Sequence, residues 1–84
     1  MQNFARLSQL KFHTDFSSAQ AVVVGYDGLE DLVIRLQELG VRIGAEVSLV
    51  GRAPFRGPWL IRLGTTVIAL REEEASCLRL EVRA

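Results

Sequence analysis

The sequence predicts a mainly β fold: a small antiparallel barrel of short strands with one helix inserted after the first strand. Two observations predict it. Five short apolar segments follow one another too closely for parallel crossovers, and only one long stretch has helical periodicity. Antiparallel strands of this kind curl into a barrel that hides its own edges. The 84 residues are expected to form a single domain, 1–84, in which residues 1–18 lead into the barrel.

The N-terminal segment and the first strand differ in pattern. Residues 1–18 mix apolar and polar side chains, and "HTDFSS" is typical of a turn. The β-branched run "QAVVVGY" predicts the first strand, which Gly25 is expected to end. The apolar side chains of the N-terminal segment are expected to lie across one end of the barrel; they are Leu7, Leu10, Phe12 and Phe16.

The stretch "YDGLEDLVIRLQELG" predicts the helix. Asp27 and Glu30 have the spacing of a capping box at its start, and Gly40 stands where a helix ends on a left-handed residue. Ile34 lies off the apolar stripe and is expected to be exposed. The stripe recurs at helical spacing and is expected to face the core; its members are Leu29, Leu32, Val33, Leu36 and Leu39.

Two glycines frame the segment "GVRIG" that follows the helix. Gly40 is expected to have a positive φ, and Gly44 to permit a second turn that sends the chain into a strand. Val41 and Ile43 lie between them and are expected to cover the end of the barrel. The next segment, "EVSLV", alternates in polarity and predicts a half-buried strand.

The remainder of the chain predicts a loop, three strands and one helical turn. "GRAPFRGP" is a loop, because two prolines and a glycine forbid regular strand pairing there. Gly64 and Thr65 form a tight connection between the strands "WLIRL" and "TVIAL". "REEEASC" resembles a single helical turn, and "LRLEV" predicts the last strand.

Charge and composition exclude several classes of protein. The formal net charge is zero, so the molecule has no overall field that would attract nucleic acid. The sequence lacks an apolar run long enough to span a membrane and a signal-peptide pattern, and its one cysteine cannot form an internal disulfide; these features predict a cytoplasmic protein. From residue 42 to residue 71, however, five arginines stand against one glutamate, which suits an acidic partner.

The residues that could support catalysis or bind a metal are few. The single histidine, His13, and the single cysteine, Cys77, are far apart in sequence and carry no local catalytic signature, so we predict no enzyme. The acidic turn around Glu73 could supply carboxylate oxygens to a cation. His13, Cys77 and Glu73 are therefore the weak candidates for a metal site, and no cofactor is predicted with a complete ligand set.

Three segments in this order resemble the FeoA family, ferrous iron transport protein A. They are "RLQELGVRIG", "AEVSLVGRAPFRGP" and "WLIRLGTTVIALREEEA", within a match from about Ala19 to Val82. The resemblance implies an SH3-like barrel of five or six strands and a non-catalytic cytosolic accessory of ferrous iron uptake. It also implies a partner, the large membrane iron transporter (FeoB) with its cytosolic GTPase domain, which would hold the protein at the inner face of the membrane.

The main functional hypothesis is an interaction module that docks on this transporter. Phe55 would be the apolar anchor of the interface and Arg56 would orient the partner, with Trp59, Arg52 and Ile34 as further contacts. Gly40, Gly44, Leu36 and Leu39 are assigned structural roles. Where the family often has Gly-Asp-Pro in this loop, the chain has Arg56-Gly57-Pro58. This change makes the loop more basic, so its partner surface should be more acidic.

Two alternatives remain open at this point. One is a weak transition-metal-binding domain, with an Fe(II) or Zn(II) site that would use His13, Cys77 or the acidic turn around Glu73. The other is an SH3-like regulatory or peptide-binding module related to the C-terminal domain of metal-dependent repressors, although the chain has only one Trp and one Tyr for an aromatic groove. Weak self-association is compatible with each hypothesis, whereas nucleic-acid binding is not expected.

Overall fold

The computed structural model describes residues 3–12 and 18–83. A short 3-10 helix, Leu7–Gln9, follows the first strand. The strands and helices, in chain order, are β1 (Asn3–Ala5), β2 (Ala21–Tyr26), α1 (Glu30–Glu38), β3 (Glu46–Arg52), β4 (Trp59–Leu63), β5 (Thr66–Leu70), α2 (Glu72–Ala75) and β6 (Leu78–Val82).

Six strands form one antiparallel sheet in the order β1-β6-β2-β3-β4-β5. The predicted all-antiparallel, mainly β fold is therefore confirmed. The barrel is not closed, because β1 and β5 lie at the two edges of the sheet and do not pair with each other, so the edges are not hidden as expected. The N-terminal segment contributes β1, which pairs with β6, so α1 follows the second strand of the structure and the first long one. The sheet wraps around a single core, because buried residues from β2 to β6 belong to one cluster.

The helix packs on this core through a narrower stripe than predicted. Leu36 is completely buried, whereas Leu29 is 73% exposed because it precedes the first helical residue. The predicted capping box is wrong. The carboxylate of Asp27 instead accepts a hydrogen bond from Arg6, which lowers the pKa of that carboxyl, and α1 begins with no side-chain cap. The backbone N–H of Asp27 donates to the carbonyl of Cys77 (2.7 Å), so this residue, just after β2, is held to the chain before β6 rather than to the helix.

The two glycines after α1 behave as predicted. Gly40 has a φ of 95° and Gly44 a φ of 92°, and both turns favour glycine. Val41 is buried, but Ile43 is 66% exposed and does not cover the core as expected. The N–H of Gly44 donates to the carbonyl of Val23 (2.8 Å), so the backbone of the turn, rather than the side chain of Ile43, closes this end of the sheet.

Three further expectations differ from the structure. Gly25 does not end the first long strand: β2 continues to Tyr26 through a shift in register. In β3, Ser48 is buried as well as its apolar neighbours, because its hydroxyl accepts hydrogen bonds from the backbone of Gln20 and from Arg62. Phe12 is exposed, whereas Leu7 is buried and Leu10 packs on the core. Phe16 lies outside the described residues.

The length and composition of the helices bear on membrane insertion. Within residues 3–12 and 18–83, no helix combines the length and the apolar character that a membrane crossing requires.

Candidate functional site

The loop 53–58 projects an aromatic side chain into solvent between β3 and β4. Phe55 is fully exposed (101% of its reference surface). Phe55 and Arg56 have φ values of 61° and 55°, in the left-handed region that non-glycine residues rarely adopt. A conformation of this kind persists only where surrounding contacts hold it, and such residues are concentrated at binding and catalytic sites.

Backbone contacts within the loop supply part of that support. The N–H of Ala53 donates to the carbonyl of Pro58 (3.0 Å), which closes the base of the loop. The N–H of Gly57 donates to the carbonyl of Ala53 (3.2 Å). A Cβ atom on Gly57 would lie only 2.7 Å from the Cβ of Ala53, so this close approach requires glycine. The tip is therefore held by its own tightly folded backbone.

Side chains at the base of the loop connect it to α2. One carboxylate oxygen of Glu72, Oε2, accepts hydrogen bonds from Arg52 Nη2 (2.6 Å) and Trp59 Nε1 (2.8 Å). The guanidinium of Arg52 also stacks over the Trp59 ring at 4.1 Å and donates to the carbonyl of Gly57 (3.1 Å). This charge-assisted cluster fixes both ends of the loop to the helical turn below it.

The sequence-predicted contact residues divide into three groups. Phe55 and Arg56 are at the exposed tip of the loop. Arg52 and Trp59 are at its base, and because Trp59 is only 8% exposed it offers little area to a partner and positions the loop instead. Ile34 lies apart on α1 and is 44% exposed, in agreement with its predicted position off the apolar stripe.

A cleft of about 430 Å³ joins the loop to both helices. Arg56 and Arg71 line it, and within the described residues neither side chain forms an ion pair. Arg35 also lines it but pairs with Glu74 (3.5 Å). Glu72, Glu73 and Glu74 line the same cleft, and among the described residues only Glu73 of the three forms no ion pair. Two unpaired cations therefore stand against one unpaired carboxylate, an excess that suits an acidic group on a partner.

Sequence reasoning missed Arg35, Arg71 and the structural use of the acidic turn. The turn is not a uniformly solvated surface. Glu74 is buried and accepts a hydrogen bond from the backbone N–H of Arg71 (2.8 Å), and Glu72 braces the loop. The available signal was the arginine that directly precedes three glutamates, since a glutamate three residues beyond a helix start often bonds back to it.

The candidate metal ligands do not form a site in the described part of the chain. No group of three His, Cys, Asp or Glu side chains there could hold a metal ion. Cys77 is buried, its Sγ donates to the carbonyl of Glu73 (3.2 Å), and burial raises the pKa of the thiol. A thiol that retains its proton is a poor ligand for Zn(II) or Fe(II). His13 lies outside the described residues.

Comparison with known proteins identifies the family of this chain. The model of the FeoA domain matches residues 17–82. The chain belongs to the FeoA family. No curated protein matches it, and the solved structures described below provide the relatives.

Three solved structures are similar to this FeoA chain. FeoA from Stenotrophomonas maltophilia, complexed with zinc, is 36% identical over 88% of this chain and 86% of that one, with a TM-score of 0.67. Iron(II) transport protein A from Clostridium thermocellum is 27% identical over 93% of this chain, with a TM-score of 0.77; the match spans 45% of that protein. A FeoA-like protein from Clostridium acetobutylicum is 23% identical, covers 100% of this chain and 92% of that one, and has a TM-score of 0.79.

The descriptions of these proteins agree with the fold and relate the family to iron. The Stenotrophomonas protein is described as a prokaryotic SH3 domain protein and a candidate activating factor of bacterial ferrous iron transport. The predicted SH3-like fold is thereby confirmed, and the FeoA family is implicated in ferrous iron transport. The zinc is an observation on that relative; among the described residues of this chain, no group of three His, Cys, Asp or Glu side chains could hold a metal ion.

Proposed function

We propose that this FeoA protein is a non-catalytic module that docks on a membrane ferrous iron transporter at its cytosolic GTPase domain. It would act in the cytoplasm and reach the membrane through that partner. Membership of a family implicated in ferrous iron transport supports the pathway. The observation that carries the docking proposal is the fully exposed Phe55 at the tip of a braced loop.

The loop has the physical properties of a preformed binding element. An aromatic anchor held in one conformation loses little entropy on binding, because the loop is already ordered by its backbone bonds and by Glu72. Arg56 beside it would steer an acidic surface towards the anchor. The two residues therefore have separable roles, in which Phe55 governs the lifetime of the complex and Arg56 its rate of formation.

Substitution of these two residues tests the proposal. Against the purified cytosolic domain of the transporter, we expect Phe55→Ala to weaken binding about 30-fold, since a hot-spot aromatic contributes about 2 kcal/mol. Arg56→Glu should slow association and reverse its salt dependence. The matched control is Phe4→Ala, which removes an exposed phenylalanine from β1 at the edge of the sheet. Unchanged affinity in both loop variants would remove the loop from the mechanism.

The metal-binding alternative makes a different prediction. We expect anaerobic titration with Fe(II), and titration with Zn(II), to give the same affinity for the wild-type chain, Cys77→Ser and Glu73→Gln. The reason is that the Cys77 thiol is buried, which raises its pKa, and that Glu73 belongs to no group of three side chains among the described residues that could hold a metal ion. A saturable site that disappears in either variant would support metal binding in place of this expectation.

A further inference from the structure

The edge strand β5 is regular and uncharged. It contains the sequence "TVIAL" and pairs with β4 through five consecutive residues without a shift in register. Edge strands expose unpaired backbone N–H and C=O groups, which proteins usually protect with a charge, a proline or a bulge. None of these occurs between Thr66 and Leu70. The edge can therefore accept a further strand.

The register identifies the groups available at this edge. Leu63 and Thr66 flank the two-residue turn, so they form a hydrogen-bonded pair, and the pairs then alternate along the hairpin. By this alternation the N–H and C=O groups of Val67 and Ala69 point away from β4. Both residues are exposed, and no loop backbone in the described part of the chain bonds to them. Two residues thus present a donor and an acceptor each.

The free edge continues into the arginine-lined cleft described above. Ala69 lines that cleft together with Arg56 and Arg71. Three carboxylates also line the cleft. Glu72 pairs with Arg52 and Glu74 with Arg35. Glu73 forms no ion pair among the described residues, so one free carboxylate stands beside two free guanidinium groups. A strand added to β5 would therefore bring one of its side chains close to two unpaired guanidinium groups.

We propose that an extended acidic segment of a partner protein adds to β5 as a further strand. Its main chain would bond to Val67 and Ala69, and a carboxylate side chain would enter the cleft between Arg56 and Arg71. Strand addition of this kind takes affinity from the backbone and specificity from side-chain pockets. The inference rests on the proposed function for the identity of the partner, the cytosolic domain of the transporter.

Charge favours a different protein over a second copy of this chain. Two β5 strands paired with each other would satisfy the edge N–H and C=O groups. Because β5 is uncharged, however, that pairing would supply no carboxylate to Arg56 and Arg71 of either copy. An acidic segment satisfies the backbone and the arginines together.

Proline substitution at the edge separates strand addition from other contacts. The substitution Ala69→Pro removes an N–H group that forms no hydrogen bond with β4. Edge strands tolerate proline at positions where the N–H points away from the neighbouring strand. Ala69→Thr retains the N–H and is the matched control. The probes are the cytosolic domain of the transporter and the peptide acetyl-Thr-Val-Thr-Val-Thr-Glu-Asp-amide, with a version ending in Lys-Lys as its control.

We expect both probes to slow amide exchange at Val67 and Ala69 of the wild-type chain at least about tenfold at saturation, as new backbone bonds do. The acidic peptide should bind about fivefold more tightly than the lysine version. Ala69→Pro should abolish binding of the peptide and weaken binding of the domain, while Ala69→Thr retains both. Amide exchange at Val67 and Ala69 of the wild-type chain tests strand addition to β5 even if the proline variant folds poorly.

The failures of the two proposals are distinguishable. If the domain binds and neither probe slows exchange at the edge, strand addition is overturned and the proposed docking stands. If the peptide protects the edge and the domain does not bind, the strand site stands and the transporter is not its partner. Protection that rises with the concentration of the chain alone would show β5 pairing with a second copy and would overturn the acidic-segment proposal.

Discussion

Replacement of Leu36 by alanine is expected to lower the free energy of unfolding by about 3 kcal/mol. Leu36 is the only residue of α1 that the structure buries completely, and it attaches the helix to the core. Removing a buried leucine side chain loses its transfer free energy and leaves a cavity, which together amount to about 2–5 kcal/mol. Domains of this size have a total stability of about 5–10 kcal/mol, so the loss is a large fraction of it.

Urea unfolding followed by circular dichroism measures this effect, with Ile34→Ala as the matched control. Ile34 is on the same helix and is 44% exposed, so its truncation leaves no cavity and should change stability by less than about 1 kcal/mol. Equal losses in the two variants would mean that Leu36 does not anchor the helix. The Leu36 variant should also weaken partner binding, because α1 carries Arg35 at the arginine-lined cleft.

The features predicted correctly from the sequence depend on local rules. The spacing of leucines identified α1, and Gly40 and Gly44 both have the positive φ that their positions after the helix implied. Short connections between apolar segments gave antiparallel pairing, as at the Gly64–Thr65 turn. In each case the controlling interaction lies within a few residues, so the sequence pattern contains it.

The features that were missed depend on contacts between distant residues. Asp27 was expected to cap α1, but it pairs with Arg6, 21 residues away in sequence. The N-terminal segment forms β1 because it meets β6 at the opposite end of the chain. Local propensity contains no information about such partners, and tertiary contacts override it where the two compete.

The candidate site was predicted in composition but not in conformation. The prolines, the arginines and the single phenylalanine in "GRAPFRGP" indicated a loop suited to binding. The left-handed backbone of Phe55 and Arg56 could not be predicted, because glycine is the usual residue there and neither position is glycine. The brace from Glu72 to Arg52 also joins residues 20 apart in sequence.

The second large effect is expected at Gly28, in the connection between β2 and α1. Gly28 has a φ of 156°, and a Cβ atom there would lie well inside the van der Waals distance of the Sγ of Cys77. Gly28→Ala therefore combines a backbone penalty of about 1–3 kcal/mol with an overpacking penalty of similar size. We expect a total loss of about 4 kcal/mol in the free energy of unfolding.

A double-mutant cycle with Cys77→Ala separates these two contributions. Removing Sγ leaves the Cβ of residue 77 at 3.5 Å, an ordinary contact, so the overpacking penalty should disappear and the backbone penalty remain. We expect a coupling free energy of about 1–3 kcal/mol between the two substitutions. Gly44→Ala is the control, since Gly44 has a φ of 92° with no atom within 4 Å of an added Cβ.

The size of that coupling is informative about the helix as well as the glycine. Gly44→Ala should lose stability through the backbone alone and show no coupling to Cys77→Ala. If Gly28→Ala likewise showed no coupling, the β2–α1 connection would not lie against Cys77. That result would contradict the contact between this connection and the residue just before β6. A coupling of the expected size would instead show that the β2–α1 connection, which leads into the helix that carries Arg35, lies against Cys77.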